Sequence, residues 1–182
     1  LASSHIRREF DDPAVPFDLG IHLNLTQGRP LSGDGYPAEF LDARGCFPGI
    51  GAVFHRLRRA RPQQLAGVAG ELRLQIEWMC DHGIAPTHLN GHQYVELVPG
   101  VASMIPELVR RYEIPVIRVA REAGLWRSVL LRGRFKDYAL GVVKHHYATD
   151  FRRRIVRERI PFPDRFYGTC HAGLVDLKVL SG

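Results

Sequence analysis

Long apolar stretches are missing from this chain. No uninterrupted run approaches the roughly 18–20 residues of a membrane span, so no membrane partner is expected. Cysteine is scarce as well. Cys46, Cys80 and Cys170 are widely spaced and odd in number, which argues against a disulfide framework and a cysteine zinc cluster and fits a reducing cytoplasm. The first residues, Leu1-Ala2-Ser3-Ser4-His5-Ile6-Arg7-Arg8, lack the basic region and following apolar stretch of a signal peptide. An initiator methionine is also missing, and Gly182 stops without an evident terminal element. No internal repeat or low-complexity linker divides the sequence. It reads as one domain over residues 1–182, incomplete at both ends.

With 182 residues, of which 45% are hydrophobic, there is enough chain for one soluble domain with a substantial core. The net charge of +6 is carried almost wholly by arginine. Arg56-Leu57-Arg58-Arg59-Ala60-Arg61 and Arg152-Arg153-Arg154 form short basic runs. No aromatic interleaving or nucleic-acid motif accompanies them, so they read as solvated helix faces and nucleic acid is not an expected partner.

Phe17-Asp18-Leu19-Gly20-Ile21-His22-Leu23-Asn24-Leu25 alternates with period two and reads as a strand. Residues 26–51, rich in Gly, Pro, Ser and Asp, form a long excursion of the kind that often carries function. A helix is expected from Pro62 to Gly83, burying Leu65, Val68, Ala69, Leu72, Ile76, Met79 and Cys80. A strand near Ala85–Leu89 follows, then a helix after Pro99 with Val101, Ile105, Leu108, Val109 and Tyr112 on its apolar stripe. Pro115-Val116-Ile117-Arg118-Val119 reads as another strand. Residues 125–158 read as helical with interruptions near Gly133 and Gly141, and Arg165-Phe166-Tyr167-Gly168 as a return to the core. This rhythm is that of an α/β protein with parallel strands, expected here to be a partial (β/α) barrel.

Two histidines stand where a strand gives way to a loop: His22, and His92 within Pro86-Thr87-His88-Leu89-Asn90-Gly91-His92-Gln93. Imidazoles from such distant points suggest a metal site assembled by folding, with open positions suited to catalysis. His88 and His92 have the i, i+4 spacing of a helical metal pair, but Asn90-Gly91 breaks helices and no glutamate follows His88. His92 is therefore the expected ligand and His88 a supporting or strand residue. Gly91 is expected to let the backbone turn sharply and aim His92 inward.

The frame Gly20-Ile21-His22-Leu23-Asn24-Leu25-Thr26-Gln27-Gly28-Arg29-Pro30-Leu31 resembles the first histidine motif of the YdjC-like carbohydrate deacetylases. Phe40-Leu41-Asp42-Ala43-Arg44-Gly45-Cys46-Phe47 resembles the short motif after it, Pro86 to Pro99 the second histidine motif, and Phe166-Tyr167-Gly168 a later landmark. The resemblance implies a distorted barrel related to the polysaccharide deacetylases and a divalent-metal hydrolase, using Mg or Zn, that removes acetyl from an N-acetylated saccharide. It further implies a metal held by one aspartate and two histidines, the latter matched by His22 and His92. Such chemistry needs a polarised carbonyl, an activated water, a carboxylate base and an acid for the departing amine.

The chain departs from that pattern in places. The family's strand ending in Asp-Asp is not found; Asp11-Asp12 precedes Pro13 and reads as a solvated turn. Asn90, Gln93, Tyr94 and Glu96 stand where relatives often carry Asp and further His. His171 is a candidate general acid by its distance from His92, while the local match at Phe166-Tyr167-Gly168 places the acid beyond Gly182. Arg118 is a candidate for orienting a carboxylate or binding substrate. A homodimer is left open. The rival readings are another metal-dependent hydrolase, or a catalytically inactive basic binding module on the same scaffold.

Overall fold

The structure, a computed structural model, describes residues 18–121, 135–164 and 166. Along the chain come β1 (Ile21–Leu23), α1 (Ile50–Leu57), α2 (Pro62–Asp81), β2 (His88–Gly91), α3 (Pro99–Arg111), β3 (Val116–Ile117) and α4 (Phe135–Arg157). Short 3-10 turns occupy Gly33–Gly35, Ala38–Phe40 and His92–Leu97. The sheet order is β1-β2-β3. β1 and β2 run parallel, with Ile21 facing Leu89, His22 facing Asn90 and Leu23 facing Gly91. The α/β class expected from the sequence is borne out in this coarser form, a small parallel sheet with helices. Two compact units divide the chain, Leu1–Val116 and Ile117–Gly182.

In the first unit the alternating stretch does what its period dictates. Leu23 and Leu25 are fully buried, while His22, on the opposite face, is exposed. The assigned strand is shorter than the alternation, three residues, because only Ile21 to Leu23 have partners on β2.

Helix α2 starts at Pro62, whose missing N–H is no loss in the first turn. The Gln64 side chain accepts a hydrogen bond from the Arg61 amide at 2.7 Å, satisfying a donor just outside the helix. It stops where Gly83 takes a left-handed φ of 70° and donates to the Cys80 carbonyl at 2.7 Å, while Ile84 donates to Met79. Val68, Leu72, Ile76 and Met79 are buried as expected, but Cys80 is exposed. Steps of four advance by about 40° around a helix. After Val68, Leu72 and Ile76, a further such step carries Cys80 past the packed face and Met79 replaces it.

The excursion is more ordered than its composition suggests. Tyr36, Phe40 and Phe47 are buried together, with the Tyr36 ring edge-on to both others at centroid distances of 6.5 and 5.2 Å. Helix α1 begins upstream of the helix face read from the sequence at Arg56–Arg61, and it buries Val53 and Leu57. Its basic end agrees with a solvated face at Arg58 and Arg59, whereas Arg56 donates to the Leu41 carbonyl at 3.2 Å. Helix α3 buries Val101, Ile105, Leu108 and Val109, and Tyr112 caps it, half-buried, with its hydroxyl on Glu77.

In the second unit α4 passes through Gly141 without the expected interruption; Gly133 lies outside the described residues. Ala148, Phe151 and Ile155 bury one face, and the Ile117 amide donates to the Pro161 carbonyl at 3.1 Å. Arg152, Arg153 and Arg154 are exposed, as a solvated run should be.

Tyr36 supplies a test of the first unit's core. Burial pushes its phenol up, the Glu71 carboxylate adds to the shift, and Arg56 opposes it. Tyrosine in the unfolded chain ionises near pH 10. Above that pH the unfolded state holds fewer protons than the fold, so stability should decline as pH rises. Tyr36→Phe should make the decline shallower in urea titrations between about pH 9.5 and 11. An identical slope in both proteins would contradict this placement of the phenol.

Candidate functional site

Parallel pairing decides which side chains meet. Because His22 lies opposite Asn90, their side chains share one face of the sheet. Period two puts His88, Asn90 and His92 on that same side, while Leu23 and Leu89 fill the other. One step back in register, Gly20 faces His88, and an alanine Cβ there would lie 2.2 Å from the imidazole Nε2. Glycine is needed so that this ring can lie on the neighbouring backbone. Thr87 fixes the ring, since its hydroxyl donates to the Leu19 carbonyl at 3.2 Å and stands 3.1 Å from His88 Nδ1.

The next pair up the face is His22 and Asn90. His22 Nδ1 donates to Asn90 Oδ1. With Nδ1 as the donor, the lone pair available for binding is on Nε2, which faces His92. His22 Nε2 and His92 Nδ1 are 3.2 Å apart although the residues are separated by 70 positions. The rings meet edge-on, 5.3 Å between centroids at 77°. His92 Nε2 is buried with no hydrogen-bond partner. The approach of the two rings fits a cation: His22 Nε2 and His92 Nδ1 at this separation can share one ion through bonds of about 2.0–2.1 Å, while His92 Nε2, across the ring from Nδ1, lies outside that pair.

Gly91 does not make the expected sharp turn. Its backbone is extended, with φ −120° and ψ 142°. The left-handed conformations belong instead to Gln93 and Tyr94, at φ 50° and 64°, each costing about 1–3 kcal/mol. Gly91 is required for a different reason, close approach. A Cβ there would lie 2.2 Å from Glu96 Oε2, 2.9 Å from Val95 Cγ2 and 3.0 Å from the Glu96 amide. Glu96 is thus buried under the end of β2, against the position immediately before His92.

Among the described residues, no group of three or more His, Cys, Asp or Glu gathers around a common point. Asp11, Asp12 and His171 lie outside the described residues. Arg118 belongs to the second unit, where its guanidinium carbon sits 5.8 Å from the Phe166 ring centroid. Sequence reasoning missed Glu71 and Gln75 on α2. Glu71 is fully buried beside Leu72, and a charged residue inside an apolar helical stripe was the available signal.

A family model described as YdjC-like protein matches residues 2–181. The chain is 29% identical over 165 residues to a carbohydrate deacetylase of Geobacillus stearothermophilus, covering 90% of this chain and 61% of that one. It is 31% identical over 125 residues to a carbohydrate deacetylase of Homo sapiens, covering 68% and 38% respectively. The chain spans about half the length of the curated relatives it matches. A crystal structure from Enterococcus faecalis, of a protein named for cellobiose-phosphate cleavage, superposes with a TM-score of 0.63 at 18% identity. That match covers 98% of this chain and 56% of the other, and it speaks for the fold.

Close packing around Gly91 sets an expectation. Gly91→Ala should cost about 1–3 kcal/mol of unfolding free energy and displace the His92 ring signals in NMR. Gly51→Ala, in open space inside α1, should be neutral or stabilise by up to about 1 kcal/mol. Equal stability of the two variants would refute the packing argument.

Proposed function

The chain belongs to the YdjC-like family, and from that membership we propose that it acts as a metal-dependent hydrolase removing acetyl from an N-acetylated sugar or oligosaccharide. The observation that carries this reading is the 3.2 Å approach of His22 and His92 across two parallel strand ends. The names of the curated relatives support the reaction class. We read residues 1–182 as part of a single domain and the small sheet as part of a (β/α) barrel. The free thiols of Cys46 and Cys80 favour a reducing, cytoplasmic setting.

His22 and His92 would hold the ion, Mg or Zn. When bound, such an ion supplies polarisation of the amide carbonyl and an acidified water. Asn90 holds the His22 ring in the tautomer that leaves Nε2 free to bind. His22 is exposed, so water and an acetamido group can approach the pair from solvent. The amine leaves only if protonated; His171 is the candidate acid in this chain, and Arg118 the candidate to orient a carboxylate or bind substrate.

Metal titration tests the assignment. His22→Ala and His92→Ala should each weaken Zn²⁺ affinity by more than the roughly 10–100-fold expected of losing an outer partner, and Asn90→Ala should fall within that range. His88→Ala should leave affinity unchanged. Undiminished binding in both ligand variants would remove the site. Salt-sensitive binding of anionic glycans by a protein that takes up no metal would favour the basic binding module instead.

A further inference from the structure

Glu71 and Gln75 sit one turn apart on α2, and neither has a role in the reaction outlined above. Glu71 is fully buried, yet its carboxylate accepts four hydrogen bonds. Oε1 takes the Leu31 amide at 3.1 Å and Gln75 Nε2 at 2.8 Å; Oε2 takes the Ser32 amide at 2.8 Å and the Ser32 hydroxyl at 2.7 Å. Only donors converge on it. A carboxylate accepts them all, whereas an amide would turn an NH₂ group towards at least one N–H.

Gln75 pairs in both directions with the backbone of Asn24. Its Nε2 donates to the Asn24 carbonyl at 2.7 Å, and its Oε1 accepts from the Asn24 amide at 2.9 Å. Asn24 is the first residue beyond β1. It passes the constraint on: its Oδ1 accepts from the amides of Thr26 and Gln27, and its Nδ2 donates to the Gln27 carbonyl at 2.8 Å. The chain leaving β1 is therefore gripped by a side-chain amide that reproduces the two hydrogen bonds of a strand neighbour. A few residues later, at Leu31 and Ser32, the same helix face grips it again.

We infer that Glu71 and Gln75 are positioning residues for His22: by fixing the backbone two residues past it, they hold its imidazole against Asn90 and His92. The inference rests on the reading of His22 as a metal ligand. It differs from mere stapling of the loop, because a staple would change stability without changing the His22 ring.

The experiment compares Gln75→Met and Glu71→Gln with Ile76→Val, a core variant of the same helix, at temperatures where all remain folded and have lost similar thermal stability. Two quantities are measured: the imidazole NMR signals of His22, assigned through His22→Ala, and Zn²⁺ affinity by calorimetry. Gln75→Met should shift the His22 signals and weaken Zn²⁺ binding about tenfold, the lower end for loss of an outer partner. Glu71→Gln should act in the same direction, and Ile76→Val should alter neither quantity. His22 signals in Gln75→Met that match those of Ile76→Val would overturn the inference. If the unmodified protein takes up no Zn²⁺, the proposed function fails, while the ring signals still decide the positioning role.

Discussion

The register between β1 and β2 is the constraint on which the site depends. The paired strands are only three and four residues long, and a slip of one residue would turn every side chain to the opposite face. His22 would then point towards Leu25 and the core rather than towards Asn90. Two features hold the register. On one face Leu23, Leu25 and Leu89 are buried and would be exposed by a slip. On the other, the His88 ring lies where only glycine can stand opposite it, and Gly20 is the residue there. Hydrophobic burial selects the face, and the Gly20–His88 fit selects the position along it.

Helix α2 contributes to the site through two kinds of contact. Its apolar stripe supplies nondirectional burial, of about 1.5–3 kcal/mol per large side chain. Its polar pair, Glu71 and Gln75, supplies direction. An isolated carboxylate in such surroundings would be costly, but four charge-assisted or amide hydrogen bonds offset that cost. Apolar packing alone tolerates small shifts of a strand end. A saturated set of hydrogen bonds does not, because each lost bond leaves a buried group unsatisfied. The left-handed pair Gln93–Tyr94 belongs to the same economy: strain is concentrated in the backbone just after His92.

Local patterning made much of this legible in the sequence. The alternation through His22, the proline start and glycine stop of α2, and the stripe of α3 follow from periodicity and capping, which act over a few residues. Other features depend on partners far away. Glu71 and Gln75 acquire their meaning from Leu31, Ser32 and Asn24, 39 to 51 residues distant. The Asn90-Gly91 dipeptide reads locally as a turn, yet both residues belong to an extended strand. Gly91 answers to Glu96 folding back beneath it, and nothing local distinguishes that need from a turn. The start of helix α1 was obscured because Gly49 and Gly51 continue the loop-like composition before it.

Asn90 sharpens what the site must obtain from elsewhere. A carboxylate in its place would both orient His22 and place negative charge beside it. The amide orients without adding charge. The donors assembled among the described residues, two imidazoles backed by an amide, bring no negative charge as ligands, and a divalent ion between them would keep its full charge. Strong Lewis acidity towards a bound carbonyl would follow, since neutral ligands donate less charge than carboxylates. Retention of the ion would be correspondingly weak unless an anionic donor completed the set. On the proposed reading the two demands would fall to different parts of the protein: the β1–β2 pair would set where an ion sits, and a carboxylate from another segment would determine how firmly it stays.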